Sequence, residues 1–135
     1  KHCENAIKIN NFLSSLKEVG KIYWPGREDH KNHLVAKKQM KNFGGMLSFT
    51  LKNDSFKDAI QIISNTKLFK LAESLGGVES LISHPPSMTH ASIPKKEREK
   101  NNLLDSLIRI SIGIEDADDL VNDLNNAFKS LKTTK

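Results

Sequence analysis

The sequence predicts an α+β domain in which helices cover one face of a small sheet. Segments with a helical spacing of apolar residues alternate along the chain with segments of strand-like spacing. Two of the strand segments alternate strictly between apolar and small or polar residues, so only one face of each strand needs to be covered. The opposite face should be too polar for a core, and we expect it to meet a ligand or another domain.

Periodicity and turn residues place the individual elements. The predicted helices are 3–16, 33–40, 56–63, 95–100 and about 116–131, and the predicted strands are 19–23, 46–51, 67–74 and 107–114. Asn53 or Asp54 is predicted to cap the third helix, because a short side-chain oxygen accepts from the free N–H groups of a first turn. The irregular stretch from 83 to 94 is predicted to be a long loop, which in a compact domain is usually functional or disordered.

Length, cysteine content and hydropathy restrict the class of protein. A chain of 135 residues, 37% of them hydrophobic, can form one domain with a substantial core. The lone Cys3 excludes a disulfide scaffold. No apolar run approaches the ~20 residues that span a bilayer, and the first residues do not resemble a signal peptide. We therefore expect a cytoplasmic protein with no membrane partner. Because the chain opens at Lys1 within a predicted helix, we expect it to be part of a longer protein.

The positive net charge does not indicate a nucleic-acid partner. The formal charge is +5, but it comes from scattered lysines, and arginine, the preferred reader of phosphates and bases, is scarce. The stretch from Glu115 to Asp119 is acidic. We expect no nucleic acid to bind; a basic nucleic-acid binder is the alternative, and steeply salt-dependent DNA binding would reveal it.

The last predicted strand, 107–114, contains the most informative residue. The side chains of Ile108, Ile110, Ile112 and Ile114 should point to one face and those of Arg109, Ser111 and Gly113 to the other. An arginine in such a strand is costly without an anionic partner, and its planar fork can bind a carboxylate through two parallel hydrogen bonds. The partner is either a ligand or an internal carboxylate such as Glu73 or Glu79, and the residues alone leave both open.

Other motifs that carry chemistry are incomplete. Gly44-Gly45 and Gly76-Gly77 lack the spacing of a dinucleotide fingerprint and are typical of turns. His30 and His33 have no third ligand at a recognisable spacing, so we expect no metal site. Cys3 has no evident activating base, which argues against a nucleophilic role.

Several blocks of the sequence resemble, in the right order, the C-terminal part of the cystathionine γ-synthase and γ-lyase family, the pyridoxal-phosphate enzymes of Cys and Met metabolism. The blocks are residues 2–6, 23–26, 39–40, 43–46, 71–81, 84–85, 88–92 and 107–116. The resemblance implies the small C-terminal domain of fold type I enzymes, with a mostly antiparallel sheet. It also implies that residues 1–18 end the helix that joins this domain to a large domain, and that residues 19–135 form the small domain.

The resemblance implies roles for individual residues. Arg109 would bind the α-carboxylate of the substrate, which favours the ligand over the internal ion pair. Ser74 would contact the same carboxylate and help hold the catalytic lysine, and so touch the cofactor site indirectly. Glu73 would contact the distal part of the substrate or be a surface carboxylate. Thr89 would line the carboxylate pocket or make an ordinary loop hydrogen bond, and His90 would pack at the domain interface.

The implied activity is that of a pyridoxal 5'-phosphate enzyme of transsulfuration acting at Cγ, either a γ-synthase or a γ-lyase. Its substrates would be cystathionine, an activated homoserine and cysteine, and the Ala-Glu-Ser-Leu-Gly-Gly block at 72–77 favours Cγ chemistry. The alternatives are a cystathionine β-lyase, a methionine γ-lyase or a non-catalytic interaction module. The resemblance implies a homotetramer for the full-length enzyme. Since the cofactor lysine would lie upstream, we expect this chain alone to contain no catalytic residue, to bind no cofactor and to be inactive.

Overall fold

A computed structural model describes residues 1–133, in which each predicted helix and strand is present in whole or in part and one strand, Leu81–Ser83, was not predicted. They are α1 (His2–Ser15), β1 (Val19–Tyr23), α2 (His33–Gln39), β2 (Met46–Leu51), α3 (Phe56–Ser64), β3 (Lys70–Leu71), β4 (Leu81–Ser83), α4 (Lys95–Lys100), β5 (Ile108–Ser111) and α5 (Ala117–Thr133). The ends of β1 and β2 coincide with those predicted. The predicted small domain extends to residue 135, and its last two residues lie outside the described part of the chain.

The five strands form one sheet in the order β1-β2-β5-β4-β3. Neighbouring strands are antiparallel except β3 and β4, which run parallel. The register places Ser48 on one side of Arg109 and Ser83 on the other. Directly paired residues of adjacent strands share a face, so these polar side chains form a row across the centre of the sheet. The prediction of a small, mostly antiparallel α+β sheet is confirmed.

The core lies between the apolar face of the sheet and the helices α1, α3 and α5, which pack on one another as α1 against α5 and α3 against α5. Phe49 of β2 is fully buried, and its ring lies 6.0 Å from that of Phe128 on α5. The predicted stripe on the last helix, formed by Leu120, Leu124, Phe128 and Leu131, is buried throughout. Each large apolar side chain buried in this way contributes roughly 1.5–3 kcal/mol.

The strand predicted from 67 to 74 is wrong in length, because only Lys70 and Leu71 pair with β4. The cause is Asp123 on α5, a largely buried carboxylate. It accepts hydrogen bonds from the backbone N–H groups of Lys67, Leu68 and Phe69 at 2.8, 2.8 and 3.1 Å. These bonds turn the backbone of 67–69 towards α5, so it cannot extend the sheet.

The predicted cap of α3 is also corrected. The cap is Ser55, whose hydroxyl accepts from the backbone N–H of Asp58 at 3.1 Å. Asn53 accepts instead from the N–H of Ser55, and Asp54, with φ of 47°, accepts from the N–H of Ser106 at 3.0 Å. The two predicted capping residues therefore shape the turn before the helix.

The predicted alternation of the last strand fails at its end. β5 stops at Ser111, and Ile114 is 48% exposed rather than on the core face. Beyond β5 the backbone pairs with other segments: Ile112 donates to the carbonyl of Gly45, and Ile114 donates to that of Val78. The chain bends there, so the period of two no longer applies.

Candidate functional site

Arg109 lies in the middle strand of the sheet, on the face away from the helices. Its Nη2 donates to the backbone carbonyl of Glu73 at 2.7 Å and more weakly to that of Ser74 at 3.5 Å. Within residues 1–132 the ion pairs do not include Arg109, so the internal pair with Glu73 or Glu79 is not formed. The guanidinium therefore keeps an uncompensated positive charge and further N–H donors for an anion.

The carbonyls that hold Arg109 belong to residues 72–80, which we call the site loop. This loop joins β3 to β4, yet its middle crosses to β5 and the segment that follows it. Ser111 accepts from the backbone N–H of Gly76 at 2.7 Å. Further along, Glu115 accepts from both the backbone N–H and the hydroxyl of Ser80, each at 2.7 Å. Residues of β5 and of the segment that follows it thus attach the loop at Gly76 and at Ser80.

Gly113 lies between these two attachments, where the site loop comes closest to the segment after β5. Its N–H donates to the Ser80 hydroxyl at 2.8 Å. A Cβ at Gly113 would overlap the carbonyl oxygen of Val78 and would lie 2.7 Å from the carbonyl carbon of Glu79. Only a glycine allows the two backbones to approach this closely.

A side chain of helix α1 also bonds to the segment after β5. The side-chain amide of the buried Asn5 donates to the carbonyls of Gly113 and Glu115 at 3.0 and 2.8 Å. Our sequence reasoning missed Asn5, Ser80 and Glu115. The only local signal was that the polar alternation of Arg109, Ser111 and Gly113 continues to Glu115.

The structure brings three of the four predicted binding residues together. Glu73 and Ser74 are adjacent on the site loop, with exposed side chains, and both offer their carbonyls to Arg109. Thr89 lies in the long segment after β4, and its hydroxyl pairs with the ring of His90 at 2.7 Å. Within the described residues Thr89 has no hydrogen bond to Arg109, so its place in a carboxylate pocket stays a prediction.

The long segment from 84 to 94 is ordered as a series of turns. The fully buried ring of His84 holds its base, bonding through Nδ1 to the Ser87 hydroxyl at 2.7 Å and through Nε2 to the carbonyl of Asp105 at 2.6 Å. Burial lowers the pKa of His84, because the charged ring would lose its hydration there. The carboxylate of Asp105 in turn pairs with Lys95 at 2.7 Å, and this bond raises the pKa of Lys95.

The two histidines weighed as metal ligands make separate local bonds. The ring of His33 bonds to the carbonyl of Pro25 at 2.7 Å, and that of His30 accepts from the N–H of Asn32 at 3.1 Å. In the described part of the chain, no three His, Cys, Asp or Glu side chains lie close enough to hold a metal ion. The helices of that same part include none long and apolar enough to cross a membrane.

The arrangement around Arg109 is that of an anion site on an α+β domain. The guanidinium of Arg109 is seated on the backbone carbonyls of Glu73 and Ser74, and its remaining N–H donors can take a planar carboxylate. The chain belongs to the Cys/Met metabolism PLP-dependent enzyme family, whose model matches residues 1–129. The resemblance found in the sequence is thereby confirmed.

Individual relatives in this family have different activities. The chain is 50% identical to a cystathionine beta-lyase of Coxiella burnetii and 44% identical to an L-methionine gamma-lyase of Fusobacterium nucleatum. The matches cover 95% and 97% of this chain and 33% of each relative. A crystal structure of cystathionine gamma synthase from Xanthomonas oryzae in complex with cystathionine superposes with a TM-score of 0.90 at 42% identity, over 99% of this chain and 34% of that one. This chain therefore spans about a third of the length of these proteins.

The donor set around Arg109, a guanidinium with free N–H groups, fits the carboxylate of an amino acid. Within residues 1–132, neither Arg109 nor Ser74 shares a hydrogen bond or an ion pair with a lysine, the residue type that holds pyridoxal phosphate covalently. Among the predicted binding residues, the resemblance implies a contact with the cofactor site only for Ser74, and that contact is indirect, through the catalytic lysine.

Proposed function

We propose that this chain is the C-terminal small domain of a pyridoxal-phosphate-dependent transsulfuration enzyme and that it supplies the site for the α-carboxylate of the substrate. In this proposal residues 1–18, which include α1, end the connecting helix, and residues 19–135 form the domain. The observation that carries the proposal is the uncompensated guanidinium of Arg109, seated on the carbonyls of Glu73 and Ser74. Family membership supports the type of cofactor and substrate.

The proposed chemistry of this chain is binding and orientation. Arg109 accepts the α-carboxylate through paired N–H donors, and the hydroxyl of Ser74 donates to the same group. Fixing the carboxylate would hold the Cα–H bond of the substrate in the orientation that the reaction requires. Pyridoxal phosphate, when bound, supplies the ring that accepts the electrons of that bond. The lysine that holds it belongs, in this proposal, to the large domain of the full-length protein.

The substrate is proposed to be cystathionine or an activated homoserine with cysteine, acted on at Cγ by a γ-lyase or γ-synthase. The exposed carboxylate of Glu73, next to Ser74, supports recognition of the distal end of such a substrate. A cystathionine β-lyase or methionine γ-lyase activity is the alternative, since relatives with those names are 50% and 44% identical to this chain. A cytoplasmic homotetramer is proposed on the resemblance alone.

The test replaces Arg109 by alanine in the full-length protein. We expect kcat/KM for cystathionine to fall by about a hundredfold or more, because a charge-assisted, bidentate contact to the carboxylate contributes on the order of 3 kcal/mol. Arg27→Ala is the matched control, because Arg27 already pairs with Asp29 at 2.9 Å on the surface. Wild-type kcat/KM in Arg109→Ala would refute the carboxylate role.

Two further measurements delimit the proposal. Turnover of cystathionine alone, compared with turnover of an activated homoserine plus cysteine, separates the γ-lyase from the γ-synthase. The isolated chain, mixed with pyridoxal phosphate, should give neither the absorbance of a lysine-linked cofactor nor turnover of cystathionine. Either signal would overturn the division of labour between the two domains. A cofactor-lysine segment in the sequence upstream of Lys1 would rule out the non-catalytic module.

A further inference from the structure

Ser111 is a buried hydroxyl that holds the turn carrying the proposed binding residues. It is only 3% exposed and lies on β5, two residues after Arg109 and on the same face. Its Oγ accepts from the backbone N–H of Gly76 at 2.7 Å. Gly76 follows Ser74 by two residues and has φ of +78°, a backbone conformation that glycine adopts readily.

The turn from Glu73 to Gly76 has few other attachments. Among the described residues, the hydrogen bonds that reach it come from Arg109, through the carbonyls of Glu73 and Ser74, and from Ser111, through Gly76. Beside Ser111 and Gly76 lies an open cavity of about 210 Å³, bordered by His2, Gly45 and Met46. Because space is available there, the turn can shift if the Ser111 bond is lost.

We infer that Ser111 is a positioning residue for the α-carboxylate site: by fixing Gly76 it sets the place of the Ser74 hydroxyl and of the two carbonyls that seat Arg109. The inference rests on the proposed function. In this inference Ser111 acts through the turn, because its buried Oγ accepts from the N–H of Gly76. When the turn shifts, fewer molecules hold Ser74 and Arg109 in the binding geometry, and the apparent affinity falls in proportion.

The experiment compares Ser111→Ala with Ser106→Ala in the full-length holoenzyme, with cystathionine as substrate. Ser106 is a matched control, because its fully buried hydroxyl also accepts a backbone N–H, that of Leu51 at 2.9 Å, away from the site loop. For Ser111→Ala we expect KM to rise about threefold to tenfold with kcat within about twofold of wild type, since one hydrogen bond is lost and the chemistry is untouched. For Ser106→Ala we expect KM to stay at the wild-type value.

Amide hydrogen exchange, read by mass spectrometry on peptides covering 73–80, gives a readout that does not depend on activity. Ser111→Ala should exchange faster there by about the same factor as KM rises, and Ser106→Ala should not. Ser111→Thr keeps the hydroxyl and should restore both KM and exchange, because the adjacent cavity leaves room for a methyl group. If Ser111→Ala does not fold, Ser111→Cys decides, since a thiol is a weaker acceptor and should give an intermediate KM.

The outcomes separate this inference from the function on which it rests. Equal KM and equal exchange in Ser111→Ala and Ser106→Ala would overturn the positioning role while leaving Arg109 as the carboxylate ligand. If Ser111→Ala does not fold, equal KM values for Ser111→Cys and Ser111→Thr would likewise overturn the positioning role. Wild-type kcat/KM in Arg109→Ala would overturn the proposed function itself.

Discussion

Replacing Gly113 by alanine should damage this domain more than replacing a glycine that has positive φ. The alanine Cβ would overlap the carbonyl oxygen of Val78 and would lie 2.5 Å from the carboxylate of Glu115. The nearest obstacle is backbone, which cannot rotate away as a flexible side chain can. The site loop must therefore move away from the segment after β5.

The magnitude follows from the bonds that this movement breaks. Two bonds join backbone N–H groups of this segment to the loop: Gly113 to the Ser80 hydroxyl at 2.8 Å and Ile114 to the Val78 carbonyl at 2.9 Å. Two more join Ser80 to the Glu115 carboxylate, each at 2.7 Å. Neutral bonds contribute about 1 kcal/mol each and bonds to a charge about 1.5 kcal/mol or more. Because Glu115 is half-buried and can be partly rehydrated, we expect a loss of about 3–4 kcal/mol.

The free energy of unfolding from urea denaturation measures this loss, read from the midpoint at constant slope. Gly44→Ala is the matched control: Gly44 has φ of +78°, but a Cβ there meets no atom within 4 Å. Its loss should be about 1 kcal/mol, the strain of a left-handed alanine. The reasoning is refuted if Gly113→Ala loses less than Gly44→Ala.

Two further predictions concern stability. Asp123→Ala should lower the free energy of unfolding by about 3 kcal/mol, because the N–H groups of residues 67–69 lose a charged acceptor. Asp118 is an exposed carboxylate, so Asp118→Ala should change the free energy of unfolding by less than about 1 kcal/mol. Similar losses for both variants would contradict the role of Asp123. Because burial lowers the pKa of His84, the unfolded chain binds a proton more readily than the folded chain below the ordinary value of 6.5. The free energy of unfolding should decrease as pH falls below 6.5 and level off below the folded pKa, and denaturation at several pH values should show a weaker decrease for His84→Gln.

The sequence was sufficient for the elements whose pattern is local. β1 and β2 were placed to the residue, because alternation and the flanking Gly and Pro residues are visible within a short window. β3 was predicted too long because the acceptor that turns residues 67–69 away is Asp123, more than 50 positions further along the chain. No local pattern contains that information, and tertiary contacts override strand propensity there.

In the candidate site, too, some residues can be predicted from the sequence and others cannot. Arg109 could be selected from the sequence because a charge interrupting a run of isoleucines is unusual whatever surrounds it. Ser80 and Glu115 could not, because they meet only when the parallel pairing of β3 with β4 sends the site loop across to the segment after β5. Asn5 could not either, because the carbonyls to which it donates, those of Gly113 and Glu115, lie more than 100 positions further along the chain. Each of these three residues, taken singly, has the sequence signature of an ordinary polar position.

The polar side of β5 and of the segment after it contacts different groups from those that alternation alone suggests. The alternation predicts that Arg109, Ser111 and Gly113 lie on the polar face, which meets a ligand or another domain. In the structure Ser111 and Gly113 face the site loop, and the Arg109 guanidinium retains donors for an anion. A glycine is needed at 113 because the loop backbone lies directly against it, and the hydroxyl at 111 accepts from the N–H of Gly76. Arg109 is the residue of this strand that we propose to contact the ligand directly, whereas we expect substitutions at 111 and 113 to affect binding by displacing Glu73 and Ser74 rather than by removing a contact.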